Sequence, residues 1–357
     1  MTAFEDYISL LKGMIAIPSF SREETAVCDF MEGWMRDHAV DSYGDQYPLR
    51  RVGNNIILEQ KGRGDGRPLL LLNGHIDTVK PAASYTRDPF EPAVEDDILW
   101  GLGSNDDGGS VVSLLAAYLR LVGTDQPYRL AYAATAEEEV CGTGGIEKIF
   151  PELGDISLAV VGEPTKMQMA IAERGLMVLD CTAVGKSGHA ARNEGVNAIY
   201  EALPSIEWFR TYSFPKVSEY LGPVKMSVTM IASGTQHNVV PDKCTFVVDV
   251  RPNGMYSNVE LLGLIKDAVS CQVKERSTRL NSSHIDPEHP IVKRGLGMGL
   301  TAFGSPTCSN QTLCPFTTIK IGPGDSARSH TADEYIRLSE IREGIETYVR
   351  LLDKLTF

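Results

Sequence analysis

The chain has 357 residues, a formal net charge of −13 at pH 7 and 43% hydrophobic residues. This length suits two domains of ordinary size, and the composition is that of a globular protein. The acidic balance argues against a nucleic-acid surface and against adsorption to anionic membranes. No apolar run approaches the ~20 residues that a membrane helix needs. We therefore expect neither nucleic acid nor membrane among its partners.

The seven cysteines are scattered and include no Cys-x-x-Cys pair. This pattern argues against a disulfide framework and against a thiolate zinc site, so that any metal would be held by His, Asp and Glu. The first residues, Met1 to Asp6, are acidic and lack the basic and then apolar pattern of a signal peptide. Together these features predict a protein of the reducing cytoplasm.

Hydrophobic spacing predicts the first elements. Apolar residues from Phe4 to Ile15 recur at helical spacing, and Ser21 to Glu24 has the form of a capping box that would open a second helix. A strand is expected over 54–59, followed by a glycine-rich turn over 62–66. The leucines that begin at Leu69 and end before Asn73 predict a strand buried on both faces.

Strands continue to alternate with helices further along the chain. A glycine-rich turn at 100–109 precedes a predicted helix, and strands are expected from Leu130 to Thr135 and from Leu158 to Val161. Alternation of this kind indicates an α/β fold. We expect a large domain in which a mixed, mostly parallel sheet is flanked by helices.

A second domain begins near residue 171. From there the predicted order is strand, helix, strand, strand, helix and a final strand, which is typical of a ferredoxin-like α+β domain. After about residue 285 the pattern of the first domain returns, with a strand near 317–321 and a closing helix. The sequence thus predicts a large domain made of residues 1–170 and 286–357, with residues 171–285 inserted as a smaller domain.

Five potential metal ligands stand just past predicted strands or turns, where α/β folds place their sites. They are His75, Asp106, Glu138 or Glu139, Glu163 and His330. Asp77 lies two residues after His75 on an extended backbone, so it can stand beside the imidazole and fix its tautomer. Two histidines with three carboxylates suit zinc, with cobalt or manganese as substitutes. A carboxylate between two such ions would bridge them at ~3.5–4 Å, as in two-metal hydrolases.

Each of these residues also has an ordinary interpretation. His75 with Asp77 is consistent with a hydrogen-bonded histidine at a strand end, and the acidic run at 137–139 with a solvated helix start. Glu163 could be a turn residue and His330 a surface histidine. The turn at 101–106 could pass for a nucleotide loop, but the third glycine and a Gly-Lys-Ser/Thr sequence are missing. The joint position of the five residues favours a metal centre.

Short motifs follow one another in order along nearly the whole chain. They are Asn73-Gly-His75-Ile-Asp77, Trp100-Gly-Leu-Gly-Ser-Asn-Asp106, Thr135-Ala-Glu-Glu138-Glu139, Gly162-Glu163-Pro-Thr, Gly185-Lys-Ser-Gly-His189, Asn238-Val-Val-Pro241 with Arg251, and Gly322-Pro-Gly with His330-Thr-Ala-Asp-Glu-Tyr. Together they resemble the M20 metallopeptidase family, in its acetylornithine deacetylase and succinyl-diaminopimelate desuccinylase branch. The resemblance implies a catalytic role for the large domain and a dimerisation role for the inserted one.

The resemblance also implies a ligand set for two zinc ions in each subunit. Asp106 would bridge the two ions. His75 and Glu163 would bind the first ion. Glu139 and His330 would bind the second.

Five further roles follow from the same resemblance. Glu138 would be the general base, and Asp77 would orient the first histidine ligand. His189 would reach across a homodimer interface to support the oxyanion, for which the loss of one donor typically costs ~10²–10³ in rate. Arg251 and Asn238 would hold the substrate carboxylate. For His189 a turn histidine is the ordinary alternative, and for Arg251 a surface cation at a strand end.

The implied activity is dizinc-dependent hydrolysis of an N-α-acyl amino acid, with an acetyl or succinyl group on ornithine or citrulline, in arginine biosynthesis. Alternatives within the family are succinyl-diaminopimelate desuccinylase and a metallo-dipeptidase. Outside it, the chain could be a non-catalytic metal- or partner-binding relative, or a nucleotide-dependent ligase. Asp107-Gly108 follows Asp106 where the family usually has Met-Lys, and Cys141 stands near a position that often holds a small residue. The acyl group, the amino acid, the native metal and the need for a dimer stay open.

Overall fold

The computed structural model describes residues 2–40, 48–62, 65–192 and 194–357, so the turn predicted over 62–66 includes two residues outside this description. The chain divides into two compact units. The large unit comprises Met1–Ile171, His284–Phe303 and Ser309–Phe357, and the small unit comprises Ala172–Ser283 and Gly304–Cys308. The assignment of catalysis to one unit and of dimerisation to the other stays a prediction.

Helices and strands alternate along the described residues. The α-helices are α1 (Phe4–Ile15), α2 (Thr25–Met35), α3 (Gly109–Val122), α4 (Phe150–Leu153), α5 (Ala198–Thr211), α6 (Asn258–Ala268), α7 (Pro290–Gly297) and α8 (Leu338–Leu352). The strands are β1 (Leu49–Val52), β2 (Asn55–Glu59), β3 (Leu69–His75), β4 (Ala93–Glu95), β5 (Ile98–Trp100), β6 (Arg129–Thr135), β7 (Leu158–Val161), β8 (Met169–Glu173), β9 (Met177–Val184), β10 (Gly188–His189), β11 (Lys225–Ser233), β12 (Val239–Val240), β13 (Lys243–Arg251), β14 (Gln272–Glu275), β15 (Ser283–His284), β16 (Ala302–Ser305), β17 (Thr318–Lys320) and β18 (Tyr335–Arg337).

The main sheet has the strand order β1-β2-β6-β3-β7-β17-β8-β15, with β16 also paired to β8. Its centre is parallel, because β3 runs parallel to both β6 and β7, and β17 runs parallel to β7. The flanking pairs β1–β2, β2–β6 and β17–β8 are antiparallel. The carboxyl ends of β3, β6 and β7 therefore meet at one edge of the sheet, where α/β folds place their sites.

The leucine run of β3 is covered on both faces. Leu70 and Leu72 belong to a core cluster that also contains residues of α1, α2, α3 and α8. Leu69 and Leu71 belong to a separate cluster on the other side of the sheet. Because successive side chains of a strand point to opposite faces, a strand buried twice needs apolar residues at every position. The observed burial explains why four consecutive leucines are found here.

The predicted capping box at the start of the second helix is wrong. Helix α2 begins at Thr25 and has no side-chain cap. The Ser21 hydroxyl instead donates to Asp77 Oδ2 at 2.7 Å, and Glu24 accepts the backbone N–H of Arg22 at 2.6 Å. Hydrogen bonds to an ionised carboxylate are about twice as strong as neutral ones. The serine therefore contributes to a tertiary contact rather than to a helix end.

The small unit contains β9, α5, β11, β13, α6 and β14 in chain order, which is the order that the sequence predicts for a ferredoxin-like domain. Its sheet has the order β11-β13-β9-β14, and all three pairings are antiparallel. The mixed α/β fold with a smaller α+β unit confirms the predicted fold class. No helix in the described parts of the chain is both long enough and apolar enough to cross a membrane.

Candidate metal centre

Seven of the predicted site residues lie in the large unit, in or after the carboxyl ends of its central strands and in two loops. His75 is the last residue of β3, and its register partner Thr135 ends β6. The acidic residues Glu138 and Glu139 follow β6, and Glu163 follows β7. Because these strands are parallel and in register, the residues that follow them are brought together. Asp106 lies in the turn Ser104–Gly108 before α3, and His330 lies in the loop before β18.

His75 stands at the centre of the first group of ligands. Its Nε2 atom is 3.1 Å from Asp106 Oδ1, 3.9 Å from Glu138 Oε2 and 4.0 Å from Glu163 Oε1. The imidazole side chain is 1% exposed. Four residues that are far apart in the sequence thus present nitrogen and oxygen donors to one small volume.

His330 forms the second group with Glu139. Its Nε2 atom is 3.1 and 3.0 Å from the two carboxylate oxygens of Glu139 and 3.7 Å from Asp106 Oδ2. One oxygen of Asp106 therefore faces His75 and the other faces His330. This is the placement that a carboxylate needs to bridge two ions.

Among the described residues, two sets of donors are close enough to hold an ion. One consists of His75, Glu138 and Glu139, and the other of Asp106, Glu139 and His330, with the donor atoms of each set within 4.8 Å of one another. The second set matches the predicted ligands of the second ion. The first set holds Glu138 and Glu139 beside His75, where the family resemblance implies Glu163 and the bridging Asp106. The implied division of roles among these acidic residues stays a prediction.

Asp77 contacts more of the site than the sequence indicates. His75 Nδ1 lies 2.9 Å from the Asp77 carbonyl oxygen and 3.5 Å from its Oδ1 atom. The carboxylate accepts the backbone N–H groups of Glu138 at 2.9 Å and Glu139 at 3.1 Å, as well as the Ser21 hydroxyl. Asp77 therefore holds the acidic turn in place as well as the imidazole. Sequence reasoning missed Ser21, because its local pattern indicates a helix cap.

Burial strongly perturbs the titration of the cluster. Burial raises the pKa of Glu138 and that of Glu163 well above their usual range. Burial alone would lower the pKa of His75, but hydrogen bonds to Asp106 and Asp77 raise it well above its usual value. These directions show a site in which carboxylates are crowded and short of positive charge.

The same imbalance is seen around the second histidine. The hydrogen bond to Glu139 raises the pKa of His330 to about 9. Asp107, the departure from the usual family pattern, is 1% exposed and accepts the backbone N–H of His75 at 3.3 Å. Burial raises the pKa of Asp107 to about 7. This substitution therefore adds one more carboxyl group next to the first ligand.

The donor set fits two divalent cations. Carboxylates outnumber imidazoles in the cluster, and buried charges in proteins are normally paired or bound to a metal. Imidazole nitrogen with carboxylate oxygen suits zinc, and also cobalt and manganese. Two divalent ions would supply the positive charge that the cluster lacks.

The other three predicted site residues lie in the small unit. His189 is an exposed residue of β10 that pairs with β12, and its Nδ1 accepts the Ala191 N–H at 3.1 Å. Asn238 is also exposed. Arg251 donates from Nε and Nη2 to the two carboxylate oxygens of Asp249 at 2.7 and 3.0 Å. Their roles toward substrate stay predictions.

Similarity to known proteins extends over most of the chain. Residues 71–354 match the model of a family described as peptidase family M20/M25/M40. The chain is 30% identical to an acetylornithine deacetylase of Pectobacterium atrosepticum over an alignment of 368 residues. This alignment covers 94% of this chain and 94% of the deacetylase.

Two solved structures show the same fold. A tripeptidase from Staphylococcus aureus has a TM-score of 0.76 and 16% identity, with 99% of this chain and 98% of the other covered. A Bacillus subtilis protein described as a dinuclear metal binding peptidase from the M20 family has a TM-score of 0.73 and 15% identity, with coverage of 98% and 97%.

Proposed function

Because the chain belongs to peptidase family M20/M25/M40, as its motifs predict, and is a hydrolase, we propose that it removes an acetyl or succinyl group from the α-nitrogen of ornithine or citrulline. The products are the free amino acid and a carboxylate, and we place the reaction in arginine biosynthesis in the cytoplasm. The observation that carries the proposal is the convergence of His75, Asp106, Glu138, Glu139, Glu163 and His330 in one cluster. The similarity over nearly its whole length to an acetylornithine deacetylase supports the substrate class.

Five of these side chains would hold two zinc ions, for which cobalt or manganese could substitute. Asp106 would lie between the ions, His75 and Glu163 on one side, and Glu139 and His330 on the other. When bound, two divalent ions activate a water molecule and polarise the acyl carbonyl group.

Glu138 would act as the general base. Its Oε2 atom lies 3.9 Å from His75 Nε2, and its backbone N–H is held by Asp77. A carboxylate fixed within the ligand cluster can take a proton from the attacking water and deliver it to the leaving amine nitrogen. Asp77 would not touch the substrate, and its role would be to fix the positions of His75 and the acidic turn.

Three residues of the small unit would complete the reaction. His189 is exposed, so it is available to approach a second copy of the chain, and we propose that it supports the oxyanion across a homodimer interface. Arg251 would bind the substrate carboxylate, for which a guanidinium group provides paired donors. Asp249 binds the same guanidinium group, so Asp249 would compete with the substrate for Arg251. Asn238 would assist in this binding.

The decisive experiment is a hydrolysis panel with purified protein. Acetyl and succinyl derivatives of ornithine, citrulline and diaminopimelate would be tested together with simple dipeptides, with added zinc or cobalt and again after chelation. We expect one chelator-sensitive activity on an ornithine or citrulline derivative. A preference for succinyl-diaminopimelate or for dipeptides would replace the proposed substrate by that of the corresponding family alternative. Metal binding without any hydrolysis would contradict the proposed enzyme and favour a metal-binding relative.

A further inference from the structure

Glu334 is a buried acid close to the proposed metal ligands. It is 2% exposed and lies four residues after His330, immediately before β18. No role follows for it from sequence analysis, although it is part of the motif that begins at His330. Burial of a carboxylate is unfavourable unless its oxygens accept hydrogen bonds. The partners of this carboxylate therefore indicate what it does.

The carboxylate binds the backbone of the loop that carries Asp106. Glu334 Oε1 accepts the N–H of Asn105 at 2.9 Å and the N–H of Asp106 itself at 2.9 Å. The Glu334 carbonyl oxygen accepts the N–H of Gly101 at 3.0 Å. One residue thus holds the Asp106 loop at two points, 101 and 105–106.

The segment that precedes Glu334 is anchored independently. Asp333 accepts the backbone N–H groups of Thr86 at 2.9 Å and Arg87 at 3.1 Å. The Asn105 side chain donates to the Asp325 carbonyl at 3.2 Å and accepts the Asp325 N–H at 2.9 Å. The loop of His330 and the loop of Asp106 are therefore tied together on both sides of His330.

His330 needs this support. Its φ angle is +59°, in the left-handed region that residues other than glycine seldom adopt and that persists only when the surroundings hold it. Its Nε2 atom faces Asp106 Oδ2 at 3.7 Å. A small shift of either loop would change this distance and with it the geometry available to an ion.

We propose that Glu334 is a positioning residue that sets the distance between the Asp106 and His330 ligands through its hydrogen bonds to the Asp106 loop. The inference rests on the proposed metal site and names a residue that supports it. What matters is an acceptor oxygen at the place of Oε1, and the negative charge is secondary. Partners of metal ligands typically contribute 10–100-fold to metal affinity.

The test is metal binding by the chelated full-length protein. Zinc affinity would be measured by calorimetry, and cobalt absorption would report the coordination geometry. Glu334→Ala removes the acceptor, Glu334→Asp withdraws it while keeping the charge, and Glu334→Gln keeps an oxygen in place without the charge. Glu59→Ala is the control, because Glu59 is also buried but lies at the end of β2, where it pairs with Arg50 of β1 and with Arg129 of β6.

We expect Glu334→Ala and Glu334→Asp to lose about 10–100-fold in zinc affinity and to change the cobalt spectrum. Glu334→Gln should retain most of the affinity, and Glu59→Ala should bind like the wild type. If Glu334→Ala does not fold, the zinc affinities of Glu334→Asp and Glu334→Gln are sufficient to test the inference. Wild-type affinity in the Asp variant, or an equal loss in the Gln variant, would overturn the inference. If the wild type binds no metal, both the inference and the proposed function are wrong.

Discussion

The buried charges near the two ends of strand β6 differ in whether they are paired with charges of opposite sign. At its start, Arg129 donates to Glu59 at 3.2 Å, and Glu59 also pairs with Arg50 at 2.5 Å. Past its end, Glu138 and Glu139 join a cluster in which carboxylates outnumber imidazoles. The first group of charges is matched by cations of the protein itself, and the second is not.

The difference separates charges that serve folding from charges that serve function. A buried charge that is paired with an opposite charge of the protein has its partner as soon as the chain folds. An unmatched acidic group lowers stability until a cation binds, which is the usual compromise at functional sites. Each end therefore predicts a different response to the loss of one carboxylate, and four experiments test this contrast.

The largest effect is expected for Glu138→Ala. Loss of a general base should lower kcat by about 10²–10⁴, measured on the best substrate of the panel. In the chelated protein its free energy of unfolding should be unchanged or higher, because the substitution removes one unmatched carboxylate. A clear loss of stability in the chelated variant would contradict the contrast, and retained turnover would contradict the role of Glu138 as base.

Glu59→Ala should have the opposite outcome. Removal of one partner from a buried pair costs about 3–5 kcal/mol, and the Arg129 side chain, 9% exposed, would be left without this carboxylate. Arg50 is 31% exposed and can turn toward water, so we expect the lower end of that range. Urea unfolding of the chelated protein measures this loss in the free energy of unfolding. Metal affinity and kcat of the folded fraction should stay at the wild-type level.

Added metal should stabilise the folded protein by binding to the ligand cluster past the end of β6. Zinc at 100 times its dissociation constant should raise the free energy of unfolding by about 2.7 kcal/mol for each ion bound, measured by urea unfolding with and without chelator. The Glu59→Ala variant should gain the same amount, whereas His75→Ala should gain less because it lacks a ligand. Equal gains in all three proteins would mean that the metal binds elsewhere.

The smallest effect is expected for Ser21→Ala. The Ser21 hydroxyl donates to Asp77 at 2.7 Å, and its loss should weaken metal binding by about tenfold, at the low end for partners of ligand-orienting groups. Ser21→Thr, which keeps a hydroxyl, should bind zinc like the wild type. An unchanged affinity in the alanine variant would show that Asp77 holds the acidic turn without help from Ser21.

Sequence patterns are informative here where a feature depends on neighbouring residues. The four leucines of β3 require a strand covered on both faces, because alternate side chains point to opposite sides. The order of strands and helices in the small unit likewise follows from local periodicity. The proposed ligands could be named because each follows a predicted strand or turn, and the parallel arrangement brings such positions to one edge.

Features that depend on distant partners were decided by the tertiary structure alone. Ser21 has the local pattern of a helix cap, yet its partner Asp77 is 56 residues away. Glu334 and the backbone of Asp106 are separated by 228 residues, and no local pattern relates them. The sequence by itself determined the elements and the kinds of ligand, since these depend on periodicity and residue chemistry. Only the packing of β3, β6, β7 and the two ligand loops decided which side chains meet, because a hydrogen bond requires atoms within about 3 Å of each other.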